Sequence, residues 1–341
     1  MSNRWKNALY SLILITAMFV VWKFRQSKAE EPLKIEGSTM GTTYHITYFD
    51  AKNRNFKPAV DSLLKVFNQS LSTYIPDSEI SKFNRSQSFV FESPYLSPVL
   101  NRSAEISRSS GGAFDPTVMP LVNAWGFGPG KKIAADSAKI DSIKQFIGFD
   151  KLQFNEDSLW KTDPRVQLDF SAIAKGYGVD EVAGLLNSNG VENLFVEIGG
   201  EIVVQGRNIK SGKDWEVGIL NPNSTYENHS YVAYVSLTDK GMATSGNYFN
   251  YYEENGVKYS HTIDPVSGYP IRHALLSASV FAKDCMTADA WATAFMVLGY
   301  EKAVELLNQH PELDAFLIYN DAEGFSTYST EGIKQHLTLN P

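Results

Sequence analysis

The sequence predicts an α+β fold, with mixed, largely antiparallel sheets flanked by helices and an apolar helix at the N-terminus. Three observations predict it. Segments with two-residue alternation and segments with helical spacing follow one another without regular βαβ alternation. Short Gly-containing breaks join strand-like halves, as antiparallel pairs require. The composition, 43% hydrophobic and 20% charged over 341 residues, suits one large domain or two lobes sharing a cleft.

At the N-terminus, Leu9 to Trp22 (LYSLILITAMFVVW) is a fourteen-residue apolar run behind a basic start. It is short of the roughly 20 residues a transmembrane helix needs, and it fits a signal h-region of about 7–15. Ser27 and Ala29 are small, as signal cleavage requires. Lys23, Arg25 and Lys28 follow the run, as in an uncleaved anchor whose long side chains snorkel to the interface. Both readings predict export, with residues 1–29 as signal peptide or signal anchor and 30–341 as the working domain. The protein is then periplasmic or held at the inner membrane. A buried core helix is the bland alternative.

After a polar linker, STMGTTYHITYF alternates like a strand. VDSLLKVFNQSLSTY has helical spacing at Val60, Leu63, Leu64, Phe67 and Leu71, and a turn-rich stretch at Pro76–Ser78 follows. SPVLNRSAEISRSSGG reads as a helix stopped by Gly111 and Gly112, which supply a left-handed cap. FGPGKK is a loop, and the next twenty residues have the character of a surface helix. FSAIAKGYGVDEVAGLLNSNG is a further helix. NLFVEIGGEIVVQG is two strand halves around Gly199–Gly200, and WEVGIL and YVAYVSLT are strands. YYEENGVKYSHTID is a hairpin with Asn255–Gly256 as its turn. LLSASVFA is a strand, followed by the helix TADAWATAFMVLG and another from Glu301.

Several chemistries are excluded. Residues 1–29 hold five basic and no acidic side chains, so removing them takes the net charge from −7 to −12. Such an acidic body is unsuited to nucleic acid, whose binding rests on Lys and Arg. Cys285 is the only cysteine, so there is no internal disulfide, and no Cys follows the apolar run to carry a lipid. No two of the six histidines lie within five positions of each other, which argues against zinc. GYGVDE has Glu181 where a dinucleotide fingerprint needs a third Gly, and no G-x-S-x-G or P-loop motif occurs.

What remains is oxygen ligands and Gly-rich turns. Asp289 and Thr293 share one stripe of an otherwise apolar helix. A carboxylate there needs a hydrogen-bond partner or a cation, or else it caps its own helix start. GGAFDP, with Phe114 and Asp115, is either a helix cap or part of a site. Asp169 and Ser171 stand at an expected helix start, where free N–H groups attract anions. Gly176 and Gly178 lie inside that helix at a cost of about 1 kcal/mol each relative to Ala, for close packing or close approach of a ligand. Alternation places Tyr259, His261 and Ile263 on one strand face and Ser260, Thr262 and Asp264 on the other.

Taken in order, STMGTTY, LSTYIPDSEISKFN, GGAFDPTVMPLV, DFSAIAKGYGVD, VEIGGEI, MATSGNYFNYY, SHTIDPVSGYPI and TADAWATAFMVLG resemble the ApbE-like FAD:protein FMN transferases from about residue 35 onward. The resemblance implies two lobes around a flavin cleft. It implies magnesium-dependent transfer of FMN from FAD to a Thr or Ser hydroxyl of an acceptor protein such as a membrane redox subunit, with release of AMP. An FAD pyrophosphatase and an exported flavin-binding protein are the alternatives on the same scaffold. Met40, Tyr74, Ala113, Phe114, Asp115, Asp169, Lys175 and Ile263 match residues lining the FAD site. Ala172, through its carbonyl, and Asp289 and Thr293, through their side chains, match magnesium ligands. Ala292 stands where some relatives carry an acidic residue. His261 is the candidate proton acceptor, because its intrinsic pKa lies near working pH, with Asp264 or solvent as the alternatives.

Overall fold

The computed structural model describes Trp5 and residues 10–18, 31–128, 136–222, 224, 230–247, 251–254, 257–322 and 324–340. Residues 10–18 of the apolar run are helical, and the rest of that run lies outside the described residues. Among the described residues, no helix is long and apolar enough to cross a membrane.

The chain opens with strands β1 (Leu33–Thr39) and β2 (Thr42–Phe49), helices α1 (Lys57–Leu71) and α2 (Glu79–Asn84), strand β3 (Ser88–Val90) and helix α3 (Leu96–Ser109). Helices α4 (Met119–Trp125) and α5 (Ser137–Lys144) precede strands β4 (Leu152–Phe154) and β5 (Ser158–Lys161) and helix α6 (Ala174–Ser188). Strands β6 (Asn193–Ile198), β7 (Glu201–Gln205), β8 (Trp215–Leu220), β9 (Tyr231–Leu237) and β10 (Lys240–Gly246) follow. Next come β11 (Tyr251–Glu254), β12 (Val257–Ser260) and β13 (Leu275–Ala282), then helices α7 (Cys285–Leu298) and α8 (Tyr300–Gln309). The chain closes with β14 (Asp314–Asp321), β15 (Gly324–Ser329), helix α9 (Glu331–Lys334) and β16 (Leu337–Leu339).

An eight-stranded sheet in the order β1-β2-β6-β7-β10-β13-β14-β15 forms the centre. The α+β fold is as expected, with sheets antiparallel throughout rather than mixed: every strand pair among the described residues is antiparallel. Both faces of the central sheet are covered, so alternate residues enter two different cores. Leu194, Val196, Val203, Ala243, Val280 and Leu317 point into the core that holds α6 and α7. Ile202, Val204, Met242, Phe281 and Phe316 point into the core shared with the small sheet β16-β9-β8. By this parity Glu201 and Ser245, in step with Val203 and Ala243, belong to the helix side.

Helix α7 is apolar all round because it is enclosed, packing on α6, β10 and β13. Its Trp291 and Phe295 rings lie 5.3 Å apart and are 3% and 0% exposed. Removing either side chain costs about 3–5 kcal/mol.

Four local expectations are revised. STMGTTYHITYF is a hairpin, not one strand: Met40 (φ 50°) and Gly41 (φ 74°) form a two-residue turn between β1 and β2. A helix of twenty residues after FGPGKK shrinks to the eight of α5, since Gly148 (φ 137°) starts a new turn and β4 follows. Helix α6 begins at Ala174, because the Asp169 carboxylate accepts from the Ser171 N–H (2.9 Å) and hydroxyl (2.6 Å) in a local turn. The alternation through residue 264 ends early: β12 stops at Ser260, and Ile263 makes an isolated bridge to Pro270. The pairing of β11 with β12 agrees with a hairpin, although residues 255–256 themselves lie outside the described residues.

Candidate active site

Asp289 settles why a carboxylate sits in an apolar helix. It is 3% exposed and lies in the second turn of α7. It does not cap its own helix, whose N-cap is Asp284, accepting from the Thr287 N–H at 2.8 Å. Instead Asp289 Oδ2 accepts from the Gly176 N–H of α6 at 2.9 Å. In a regular helix that N–H would point to the carbonyl four residues back, Ala172. The carboxylate therefore takes the place of that carbonyl as acceptor at the N-terminus of α6.

Gly176 allows this approach. A Cβ there would lie 2.3 Å from the Cys285 carbonyl oxygen and 2.8 Å from the Asp289 Cβ. Its absence brings α6 and α7 into backbone contact. Gly178 serves a different neighbour, since a Cβ would lie 2.6 Å from the Met40 methyl. Met40 thus reaches α6 from a left-handed conformation that few side-chain residues adopt. Asp180 fixes the other end of the contact by accepting from the Cys285 N–H (2.9 Å) and the Met286 N–H (2.8 Å).

One turn after Asp289, Thr293 Oγ1 pairs with Ser245 Oγ of β10 at 3.2 Å. On the other side, Lys175 bonds Glu201, the first residue of β7. The Gly199–Gly200 break is a two-residue turn with φ 61° and 101°, and it sets Glu201 opposite Ile198. Burial alone would lower the Lys175 pKa, but Glu201 and then Asp289 outweigh it and hold the ammonium above its ordinary value. Burial raises the Glu201 carboxyl while Lys175 pulls it back, and the net direction is upward. Burial also raises Asp289, opposed by Lys175 and the Gly176 N–H.

A second arm carries Asp115 and Asp169. Asp115 accepts from the Thr117 N–H (2.8 Å) and hydroxyl (2.6 Å), and burial raises its carboxyl. The Asp169 N–H donates to the Pro116 carbonyl at 2.9 Å, which joins the two segments. Tyr74, 67% exposed, lies within electrostatic reach of Asp169. Ala113 and Phe114 are 5% and 2% exposed, and the Phe114 ring sits in the main core. Phe114 can therefore offer a ligand only its backbone. Ile263 is likewise 5% exposed, packed in a satellite core with Leu121, Ala124 and Ile140.

His261 lies just beyond β12 on a third arm, half-buried, its ring 6.5 Å from Phe127. Trp125 Nε1 donates to the Gly268 carbonyl at 2.9 Å, so the 264–270 loop is tied to α4.

Lys175 and Asp289 meet where α6 faces α7, and Thr293 follows one turn along α7 against β10. Met40 reaches α6 from the β1–β2 turn, and Ala172 precedes the first residue of α6 by two positions. Glu201 and Ser245 were not foreseen in the sequence. The available signal for Glu201 was a lone acid beginning EIVVQ directly after a Gly-Gly turn.

The chemistry of the expected donors, a carboxylate, a Thr hydroxyl and a backbone carbonyl, suits a hard cation. Among the described residues no group of three or more His, Cys, Asp or Glu side chains could hold a metal, so the fit rests on mixed oxygen donors.

Residues 40–317 match the family described as the ApbE family. The chain belongs to the ApbE family. It is 38% identical over 322 residues to the FAD:protein FMN transferase of Haemophilus influenzae, covering 90% of this chain and 92% of that protein. It is 36% identical to the FAD:protein FMN transferase of Escherichia coli K12, covering 92% and 91%. The solved flavin transferase ApbE from Vibrio cholerae superposes with a TM-score of 0.81 at 36% identity, covering 90% and 99%. The α6–α7 contact and the Asp289–Thr293 stripe lie inside the residues matched to the ApbE family.

Proposed function

We propose that this chain transfers FMN from FAD to a Thr or Ser hydroxyl of an acceptor protein and releases AMP. The observation that carries the reading is the α6–α7 contact, where Asp289 accepts from the Gly176 N–H beside the Lys175 ammonium and Thr293 follows one turn along the same helix. Such a place suits a pyrophosphate and a divalent cation together. The acceptor oxygen forms a bond to the FMN phosphorus as the bond from that phosphorus to the AMP oxygen breaks. The hydroxyl proton passes to a base, and AMP leaves as the phosphate.

Lys175 meets the pyrophosphate charge at the cleft edge, and the α6 N-terminus adds its dipole. Asp289 and Thr293, through their side chains, and Ala172, through its carbonyl, would hold magnesium. When bound, magnesium neutralises phosphate charge and stabilises the leaving oxygen. Met40, Tyr74, Asp115 and Asp169, with the backbone at Ala113, Phe114 and Ile263, shape the flavin cleft. His261 accepts the hydroxyl proton. Its replacement by Ala should keep flavin affinity within a few-fold while transfer falls by about 10²–10⁴. A variant that binds flavin poorly but transfers normally once saturated would remove His261 from this role.

The test is to incubate the protein with FAD, magnesium and an acceptor, a membrane redox subunit with an exposed Thr, and weigh the acceptor. One FMN per acceptor with an equal yield of AMP supports the reading. Free FMN and AMP with an unmodified acceptor would make it a pyrophosphatase, and no turnover would leave a flavin-binding protein.

The basic start and apolar run support residues 1–29 as the export segment, placing residues 30–341 on the outer side of the inner membrane. Removing residues 1–29 should leave a soluble protein that binds FAD. Failure to fold or bind would assign that segment to the core.

A further inference from the structure

Lys175 and Glu201 meet where the first turn of α6 faces the start of β7. Their exposures differ: the Lys175 side chain is 32% exposed, that of Glu201 only 3%. The lysine is therefore partly open to solvent while its partner is buried behind it. Glu201 is also incompletely satisfied, because Oε2 is buried with no hydrogen-bond partner. An unpaired buried carboxylate oxygen is costly, and a well-packed apolar pair would usually be at least as stable. Fold stability alone gives poor reason for a charged pair here. The side chain that engages the carboxylate is the partly exposed Lys175.

We propose that Glu201 is a positioning residue for the FMN transfer reaction, fixing the Lys175 ammonium at the cleft edge where the FAD pyrophosphate binds. The proposal rests on the transferase reading given above. Geometry supports it from three sides. The Gly199–Gly200 turn fixes the backbone of Glu201, and the parity of β7 directs the side chain to the helix face. The α6 backbone is held by Asp289 through Gly176, so Lys175 begins from a fixed point. Asp289 attracts the same ammonium from α7. Without Glu201, Lys175 would fall toward Asp289 and cover the oxygen that the cation site needs. Glu201 thus keeps a mobile four-carbon side chain pre-organised for phosphate.

The test separates phosphate recognition from flavin recognition. FAD and riboflavin carry the same ring, but only FAD carries phosphates. Glu201→Gln keeps the volume and removes the charge. It should weaken FAD binding about tenfold, the size of one charge-assisted hydrogen bond, and leave riboflavin binding within about twofold. Transfer at saturating FAD should also fall, and Glu201→Asp should recover part of both losses.

Lys175→Met and the double variant Lys175→Met/Glu201→Gln complete a cycle. If Glu201 acts through Lys175, the double variant should bind FAD as Lys175→Met does, within about twofold. Lys175→Met leaves the Glu201 carboxylate unpaired whereas the double variant does not, so both are compared at a temperature where unfolding shows each to be folded. That comparison does not need Glu201→Gln to fold.

Losses that multiply in the double variant would overturn the proposal, as would equal weakening of FAD and riboflavin in Glu201→Gln. A parent protein that binds no FAD would overturn both the proposal and the transferase reading. Multiplying losses in a protein that does bind FAD would overturn only the role of Glu201.

Discussion

Two lysines of this protein have chemistry that runs in opposite directions. Lys161, at the end of β5, is 2% exposed and has no carboxylate bonded to it. Its ammonium donates to the carbonyls of Val166 (2.8 Å), Asn84 (3.3 Å) and Phe83 (3.4 Å) and lies 4.8 Å from the Phe83 ring centre. Burial lowers its pKa to about 8, with a smaller opposing pull from Asp163. Lys175 is only partly covered, and two carboxylates raise it. The difference teaches what each charge is for. Lys161 spends all its donors tying the end of α2 to the β5 arm, whereas Lys175 is kept charged and partly open at the cleft.

The largest expected effect lies on the Lys175 side. Asp289→Ala removes the only side-chain carboxylate of the cation site and the acceptor for Gly176, so magnesium-dependent AMP release should fall by at least about 10³-fold. Thr293→Ala removes a neutral oxygen that water can partly replace, and excess magnesium should restore it better than Asp289→Ala. If both variants release AMP at the parent rate, the stripe is only a packing device and the contrast between the two lysines loses its functional half.

On the Lys161 side, Lys161→Met leaves three buried carbonyls without their donor. It should destabilise by about 2–4 kcal/mol in urea unfolding, with turnover at saturating FAD within about twofold of the parent. The pH dependence has a definite sign. The folded pKa, about 8, lies below the unfolded value near 10.4, so the unfolded chain binds more protons between them. The contribution of Lys161 to stability is constant below about pH 8 and becomes more favourable as pH rises toward 10.4. That component should vanish in Lys161→Met, and a parent minus variant difference that stays flat or slopes downward would refute the assignment.

The two glycines of α6 give the finest comparison. Ala at 178 meets the end of a flexible Met40 side chain, whereas Ala at 176 meets the Cys285 carbonyl. Gly176→Ala should separate α6 from α7 and cost most of the transfer activity. Gly178→Ala gains about 1 kcal/mol of helix propensity and should change flavin affinity only a few-fold. Equal effects would mean that the α6–α7 contact is not the organising element.

Most elements were legible because their signals are local. Gly111 and Gly112 stop α3, the 3.6-residue spacing marks α1, and Gly199–Gly200 announces a hairpin. The misreadings occur where distant groups decide. Asp169 and Ser171 look like a helix start, but the acceptor that meets the α6 N-terminus is Asp289, 113 residues away in the sequence. Met40 in a left-handed turn carries no composition signal of its own, so one strand was expected where there are two. The Asp289–Thr293 stripe was visible from spacing. The partners that make it a site, Gly176 N–H and Ser245, belong to other elements and follow only from strand parity and helix packing.

The most direct test of the central claim measures two quantities on two variants prepared together. Lys161→Met and Lys175→Met are each followed by thermal unfolding and by acceptor mass after incubation with FAD and magnesium. Lys161→Met should lose thermal stability and still load the acceptor with FMN at saturating FAD. Lys175→Met leaves the buried Glu201 carboxylate without its partner and should also lose some stability. At a temperature where it is folded, it should load FMN about 10²–10³-fold more slowly, the scale of losing one charged transition-state contact. A folded Lys175→Met protein that transfers at the parent rate would contradict the account.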